Sequence, residues 1–461
     1  MKKFLALFVA CIFLIAGSVS TGERVKDKKN TTGGPVAGAA VGEAAGHETS
    51  NKCIEISNND FKKSLPDVTY NSVEDNFFVF WVAAPGKKSQ KPDYSIFGQK
   101  ISSTGKALGE PVEVMKTSKI MLLPHVQYNP SKNQYLMIYN LAEKNINIRG
   151  VILDADGKAV GEHFMVTDAP SNKFHSTMEF NSKKNQFLIT YNDNRNGTND
   201  VFGVILDDTG TVVKKEFVIS NAVGHQVNPV ACYNPQNDTY LINWEDFRVH
   251  GDSLKYYGTL SVMTDIYGAL LAADGTVLVN DITMCADANG INGDQRFNNI
   301  SYNSKTNQFL VSWTDTRDSL QNVGIIGRIV KPDGTMPAKD FTLVDAPGAQ
   351  MIGHTAYLPQ DDKYFISFER DLNDMDKFYF KDIKAQLDIA AMWLDADGQP
   401  EADMIDIFNG DGNQRFVRFA HNTKGNTSLI VWQDDFPGVS DSVEGHIMSA
   451  GGNIMGKIYQ K

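Results

Sequence analysis

An all-β fold of seven four-stranded antiparallel blades set in a ring is what the sequence predicts, and three observations predict it. A short strand ends in an aromatic residue or a histidine seven times, at Tyr70, Tyr128, Phe180, Tyr233, Tyr302, Tyr357 and His421. The residue 11 places after each of these is aromatic: Trp81, Tyr139, Tyr191, Trp244, Trp313, Phe368 and Trp432. A glycine turn then follows each pair, at Gly105, Gly157, Gly210, Gly275, Gly334, Gly398 and Gly452. Unit starts lie 52 to 69 residues apart, near the blade length of kelch-type rings and well beyond the roughly 33 residues of helical repeats. Strand content and period together specify a seven-bladed β-propeller.

Each blade reads as four strands, a to d. Between the first two stand turn formers such as Asn129-Pro130-Ser131 and Asn234-Pro235-Gln236, followed by apolar runs like Gln134 to Ile138. That pattern is a tight antiparallel hairpin. The glycine turn, mostly written Asp-Gly or Thr-Gly, supplies the hairpin between strands c and d. From that glycine to the next strand-a aromatic is 23 residues in five of six intervals, room for strand d and the next strand a.

The chain ends predict closure. Ile54-Glu55-Ile56-Ser57 stands 13 residues before Tyr70, as Phe217-Val218-Ile219-Ser220 stands 13 before Tyr233. The N-terminus therefore offers a spare strand d, and residues 52 to 57 are expected to complete the seventh blade and close the ring, protecting its one open sheet edge. Ile458-Tyr459-Gln460 is the competing outer strand.

Before the ring, residues 1–20 carry Met-Lys-Lys, an apolar run from Phe4 to Gly17 and small residues at Ser18 to Ser20, the form of an export signal. Residues 21–50, with a small-residue run from Gly33 to Gly46, read as a flexible low-complexity tether. Residues 51–461 are the propeller, with repeats near 67–118, 124–170, 176–222, 229–288, 298–346, 353–408 and 416–461. The expected locations are periplasmic, extracellular or cell-surface, with no integral membrane segment once the signal is removed.

The formal charge of -11 and the lack of any Lys/Arg-rich run argue against nucleic acid as a partner. Three cysteines follow the signal, Cys53, Cys232 and Cys285, so at most one disulfide forms within the chain, and neither CxxC nor CxxCH occurs. The acidic turns Asp154 to Gly157 and Asp395 to Gly398 do not continue into a 12-residue calcium loop. Hairpin geometry explains them, so no cofactor and no metal are expected, a weak calcium site being the one alternative left open.

Two positions after the strand-b aromatic, three blades carry an Asp followed two later by an Arg: Asp193 and Arg195, Asp246 and Arg248, Asp315 and Arg317. Recurrence at one register predicts hydrogen-bonded pairs that fix the b–c loop and tie neighbouring blades. With Trp244 to Arg248 and Trp313 to Arg317 in full, the chain resembles secreted bacterial β-propeller repeat proteins that carry Trp-x-Asp-x-Arg after strand b and an Asp-Gly turn before strand d. The resemblance spans residues 52–461 and implies a scaffold with no particular activity.

Candidate binding residues lie where the repeats vary. The b–c connections of repeats four and six are the longest, and they hold Arg248, Tyr256 and Tyr257, and Asp371, Phe378 and Tyr379. Gln226, Gln295, Gln350 and Gln414 each stand seven residues before the strand-a aromatic, a register expected to ring the channel mouth, and Arg296 and Arg415 follow two of them. His125, His175, His225 and His354 lie near strand a in differing registers, so convergence on a metal is not expected. Aromatics interspersed with charge suit a protein or glycan partner.

The leading expectation is an exported binding propeller presenting these loops and the channel mouth to a glycan or protein, with binding favoured over catalysis and the question of an enzymatic activity left open. A propeller-type carbohydrate-active hydrolase or lyase using Asp246, Asp315 or Asp371 is the second reading, which requires paired carboxylates about 5 to 9 Å apart. A structural cell-surface component is the third.

Overall fold

The computed structural model describes residues 53–57, 62–84, 93–249, 264–285, 293–317, 323–371, 387–435 and 452–460. They form seven four-stranded antiparallel sheets, the blades of a β-propeller. Blades one to six each use four strands in chain order, strand a innermost and strand d outermost.

The seventh blade is a composite. Its inner strands are Gln414–Asn422, Thr427–Asp434 and Asn453–Gln460, and its outer strand is Ile54–Glu55 from the N-terminus. Ile56 N donates to Ile454 O at 2.9 Å and Ile454 N donates to Ser57 Oγ at 2.8 Å, extending the pairing beyond the strand. The N-terminal strand thus closes the ring, as the spacing predicts. Gly452, however, is no c–d turn: it precedes strand c of blade seven and bridges to Lys63. The six other turn glycines all have positive φ, between 78° and 86°, and Gly452 does not. Counting turns by glycine alone placed the seventh one strand too early.

The recurrent aromatics explain the packing. All seven strand-b aromatics are buried, the tryptophans completely. Core clusters straddle neighbouring blades, as where Phe78 and Phe80 of blade one meet Tyr135 and Met137 of blade two. Across the seam, Val79 and Trp81 of blade one pack with Ile56, Leu429 and Ile454 of blade seven. Burial of side chains this large, at about 25 cal/mol per Å² of apolar surface, is what joins one blade to the next. The turn glycines take part: a Cβ on Gly210 or Gly275 would strike Phe164 or Phe217 of the preceding blade, and one on Gly105 would strike Ile54. Ile54 therefore does for blade seven what Phe164 and Phe217 do for blades two and three.

A hydrogen-bonded belt runs along the a–b hairpin face. The last residue of each hairpin turn, Asp75, Asn133, Asn185, Asp238, Asn307, Asp362 or Asn426, has φ between 50° and 57°, a conformation Asn and Asp tolerate. It accepts from the strand-a phenol where there is one, as in Tyr70 to Asp75 and Tyr233 to Asp238, both 2.7 Å. It also accepts from the preceding blade's Asn: Asn71 to Asn133 at 3.0 Å, Asn181 to Asp238 at 3.2 Å, Asn234 to Asn307 at 2.8 Å. The Tyr-Asn signature is therefore an inter-blade clasp.

Candidate functional site

The inner strands surround an axial cavity of about 380 Å³. Its walls are shaped by a bulge that recurs in strand a of all seven blades, where pairing with strand b skips two residues, for example between Ser64 and Asp67 or between Arg415 and Arg418. Within the bulge Leu65, Leu123, His175, Asn228, Phe297 and Phe416 adopt φ of 48° to 55°. Such a conformation costs a side-chain-bearing residue about 1 kcal/mol or more, and its persistence marks a place where the surrounding structure dictates the backbone.

The bulge brings one side chain per blade to the cavity at a single register, three residues before the strand-a aromatic: Asp67, His125, Thr177, Val230, Asn299, His354 and Arg418. Several members hold the next blade. Asp67 Oδ2 accepts from Val126 N at 2.9 Å and lies 3.6 Å from His125 Nδ1. Thr177 Oγ1 donates to Pro229 O at 2.9 Å, and Asn299 Oδ1 accepts from Thr355 N at 3.2 Å. Arg418 Nη1 meets His354 Nε2 and donates to Val417 O at 3.1 Å.

Two opposite charges thus sit on adjacent blades and turn apart, Asp67 toward blade two and Arg418 toward blade six. Burial, with Arg418 beside it, pushes His354 well below the usual histidine range, which keeps the imidazole neutral. Burial also lowers Arg418, against the opposing fields of Asp67 and Glu369. The apolar part of the wall comes from Pro66, Pro124, Pro229, Phe297 and Phe416.

Buried carboxylates brace this layer. Glu245 Oε1 accepts from Phe297 N at 2.9 Å and Glu369 Oε1 accepts from Phe416 N at 2.6 Å, so each pins a left-handed residue of the following blade. Glu245 also lines the cavity. Burial pushes the Glu369 carboxyl up to about 7, the Phe416 N–H and Arg415 opposing. Glu179 is likewise raised by burial to about 7, opposed by the N–H of Tyr233.

The residues singled out by sequence have other placements. Asp193, Asp246 and Asp315 are buried at the ends of strand b and accept from Arg195, Arg248 and Arg317. Asp246 and Asp315 also accept from the indole N–H of Trp244 and Trp313, both at 2.8 Å. Each arginine reaches a second carboxylate, Glu216, Asp281 or Asp340, at 2.6 to 2.8 Å. These partners belong to strand d or its approach in the same blade. The triads consequently fasten a blade internally and are not ties between neighbours. Burial opposes the charge of Arg195 and Arg317, but their carboxylate bonds outweigh it and raise both above the usual value. Arg248 also lies over the Tyr267 ring, 4.0 Å from its centroid.

Arg296 is buried against Asp294, Arg415 pairs with Asp435 at 3.4 Å, and Asp371 is buried at the end of its strand b. The four glutamines do not ring a channel mouth. All are fully buried, and three face the strand-b acid: Gln226 pairs in register with Asp246, Gln295 with Asp315 and Gln414 with Asp434, to which it donates at 2.8 Å. Gln350 instead holds its own d–a connection through Ala346 O at 2.8 Å. Tyr256, Tyr257, Phe378 and Tyr379 lie outside the described residues.

The channel ring went unnoticed because its side chains differ from blade to blade. The signal for it was the constant offset from the aromatic, which puts His125 and His354 in one register after all. Among the described residues no cluster of three or more His, Cys, Asp or Glu is arranged to hold a metal, the three cysteines are unbridged, and no helix is long and apolar enough to cross a membrane.

No family model matches the chain, and no curated protein sequence matches it. Among solved structures, the β-propeller domain of the Trilobed protease from Pyrococcus furiosus is 9% identical over 80% of this chain and 91% of that one, with a TM-score of 0.44. The α-L-arabinanase of Penicillium chrysogenum is 10% identical over 88% of this chain and 97% of that one, TM-score 0.44. The endo-arabinase of Bacteroides thetaiotaomicron is 11% identical over 64% and 96%, TM-score 0.35.

Proposed function

We propose that this is an exported propeller that recognises a glycan, taking one or two sugar units into the axial cavity. The observation that carries the reading is the ring at one register: acceptors, donors and amphoteric groups from six strands, with Val230 from the seventh, converge on one space of about 380 Å³. That volume falls within the usual range for small-molecule sites, about 300 to 1,000 Å³. A sugar offers hydroxyls that both donate and accept, and apolar ring faces suited to Pro66, Phe297 and Phe416. Asp67, Asn299 and His125 match the first property and the bulge residues the second.

Affinity electrophoresis against a panel of plant and bacterial polysaccharides tests this. Wild type is expected to be retarded by at least one of them, and Asn299→Ala combined with Thr177→Val, less stable through its lost bonds to blades six and four but folded by circular dichroism at the assay temperature, to run freely. Unretarded wild type across the panel overturns the reading.

Hydrolysis is the second reading, favoured by one observation: Asp67 and Glu245 are two carboxylates lining the same cavity. Asp246 and Asp315 do not serve it, since buried Trp and Arg donors occupy them. New reducing ends released from the bound glycan by wild type, and not by Glu245→Gln, support cleavage.

A further inference from the structure

The polarity of the ring specifies the ligand more closely than its size does. Arg418 is the one arginine of the ring, and its Nη1 is engaged by His354 Nε2 and Val417 O. Among the described residues no carboxylate lies in ion-pair range of it, whereas Arg195, Arg248 and Arg317 each hold two. Asp67, the nearest acid of the ring in chain order around the channel, is already engaged by Val126 N, by Val68 N at 3.0 Å and by His125. His354 is held neutral by its burial and contributes no counter-charge. Arg418 lines the cavity without a carboxylate in direct contact, and only the longer-range fields of Asp67 and Glu369 support its charge. A guanidinium in that position is usually paired because desolvating it alone is costly.

Blade one, next to Arg418 around the ring, carries the complementary need. Asp67 lines the cavity with a carboxylate, so an inorganic anion free to drift there would meet repulsion. A ligand that satisfies both sides has hydroxyl donors at one end and an anionic group at the other, fixed in orientation by the two poles.

Resting on the glycan reading above, we propose that the cavity takes an acidic sugar, a uronate, whose carboxylate pairs with Arg418 while its hydroxyls donate toward Asp67. The planar guanidinium fork matches a planar carboxylate in two parallel hydrogen bonds, which a lysine at the same place does not reproduce. Chain charge agrees with a short ligand segment entering a local pole in preference to a surface-coating polyanion, since the protein is itself acidic at -11.

Titration calorimetry on the whole protein decides it, with matched trisaccharide pairs that differ only at C6: trigalacturonate against galactotriose, trimannuronate against mannotriose, triglucuronate against glucotriose. At least one uronate is expected to bind ten-fold or more tighter than its neutral counterpart, with the advantage shrinking as salt rises. Arg418→Gln is expected to erase that advantage, and Arg418→Lys to restore part of it. A circular-dichroism melt of each variant guards against misfolding, and the wild-type salt series stands independently of both. Neutral sugars that bind as well as the uronates in every pair overturn the uronate assignment and leave the glycan reading in place. A uronate preference that survives Arg418→Gln overturns the role of Arg418. Galactose 6-phosphate binding as tightly as galacturonate overturns the carboxylate. Failure of all six trisaccharides to bind overturns both proposals together.

Discussion

Asn422, at the end of the inner strand of blade seven, donates from Nδ2 to Asp75 Oδ1 of blade one at 2.9 Å, joining residues that stand almost the whole ring apart in sequence. The same amide accepts through Oδ1 from Lys424 N and Gly425 N, both at 2.8 Å. One buried side chain thus shapes its own hairpin and fastens the seam.

Asn422→Ala leaves two backbone donors unmatched and takes from Asp75 the donor across the seam, leaving it Tyr70 alone, a loss of about 2 kcal/mol. Urea denaturation should show that loss. A variant as stable as wild type would mean water replaces the amide at no cost.

The N-terminal strand carries a second expectation. Ile56 is buried in the cluster that spans blades seven and one, so Ile56→Ala should cost ~2 to 4 kcal/mol through lost burial and the cavity left behind. Hydrogen exchange should locate the weakening in Asn453–Gln460, the strand it pairs beside, before it appears in blades three to five. Uniform loss of protection would instead indicate that the ring opens as one unit.

The Asp-Arg triads predict a separation of stability from binding. Asp246→Ala removes the acceptor of Trp244 and of Arg248 at once, leaving a half-buried cation and a buried indole N–H, for about 3 to 5 kcal/mol. Arg248→Met, which frees Asp246 and Asp281 but keeps the stem over Tyr267, should also destabilise. Neither change touches the cavity, so glycan retardation by whatever fraction remains folded should be that of wild type.

Glu369 predicts a pH dependence. Its carboxyl is raised by burial from an ordinary 4.5 to about 7, so between those values the folded chain keeps a proton that the unfolded chain has released. Stability attributable to this group therefore falls as pH rises from about 4.5 to about 7 and is level above that. Glu369→Gln retains an acceptor for Phe416 N and cannot ionise. Relative to wild type it should gain up to ~3 kcal/mol at pH 8 and nothing at pH 4.5, read from urea midpoints at the two values.

What could be read from the chain follows from what packing constrains. Trp81, Tyr139 and their five counterparts are wedged between blades, where each junction demands the same large apolar group, so the position and the residue type both recur. Gly105 to Gly398 recur because the hairpin needs positive φ and the neighbouring blade leaves no room for a Cβ. The Asp or Asn five residues after each strand-a aromatic recurs just as faithfully, from Asp75 to Asn426, and marks the belt. Asp67, His125 and Arg418 share a register but not a chemistry, because a side chain facing an open axis meets no common packing demand, and each reaches its neighbour through a different bond. Residue matching is blind to such a layer, and only spacing reveals it. The Asp246–Arg248 motif invited the opposite error: it recurs because it is structural, and recurrence was the reason not to seek binding there.

The partnership of Ile54–Glu55 with Asn453–Gln460 also sets an order of events. On a ribosome the outer strand of the last blade is the first of all the strands to emerge, and its partner is the last. Every other blade can form from contiguous chain as it appears, whereas Ile56 and Ile454, 398 residues apart in sequence, have to wait for one another. Blades one to six are each complete without the N-terminal strand, whereas blade seven has its full sheet only once Ile54–Glu55 pairs with Asn453–Gln460. Loop-closure entropy grows only slowly with length, so the wait is one of time more than of free energy. Until Gln414–Asn422 settles beside blade one, Arg418 and Asp67 do not face one cavity, so the axial ring is complete only in the closed molecule.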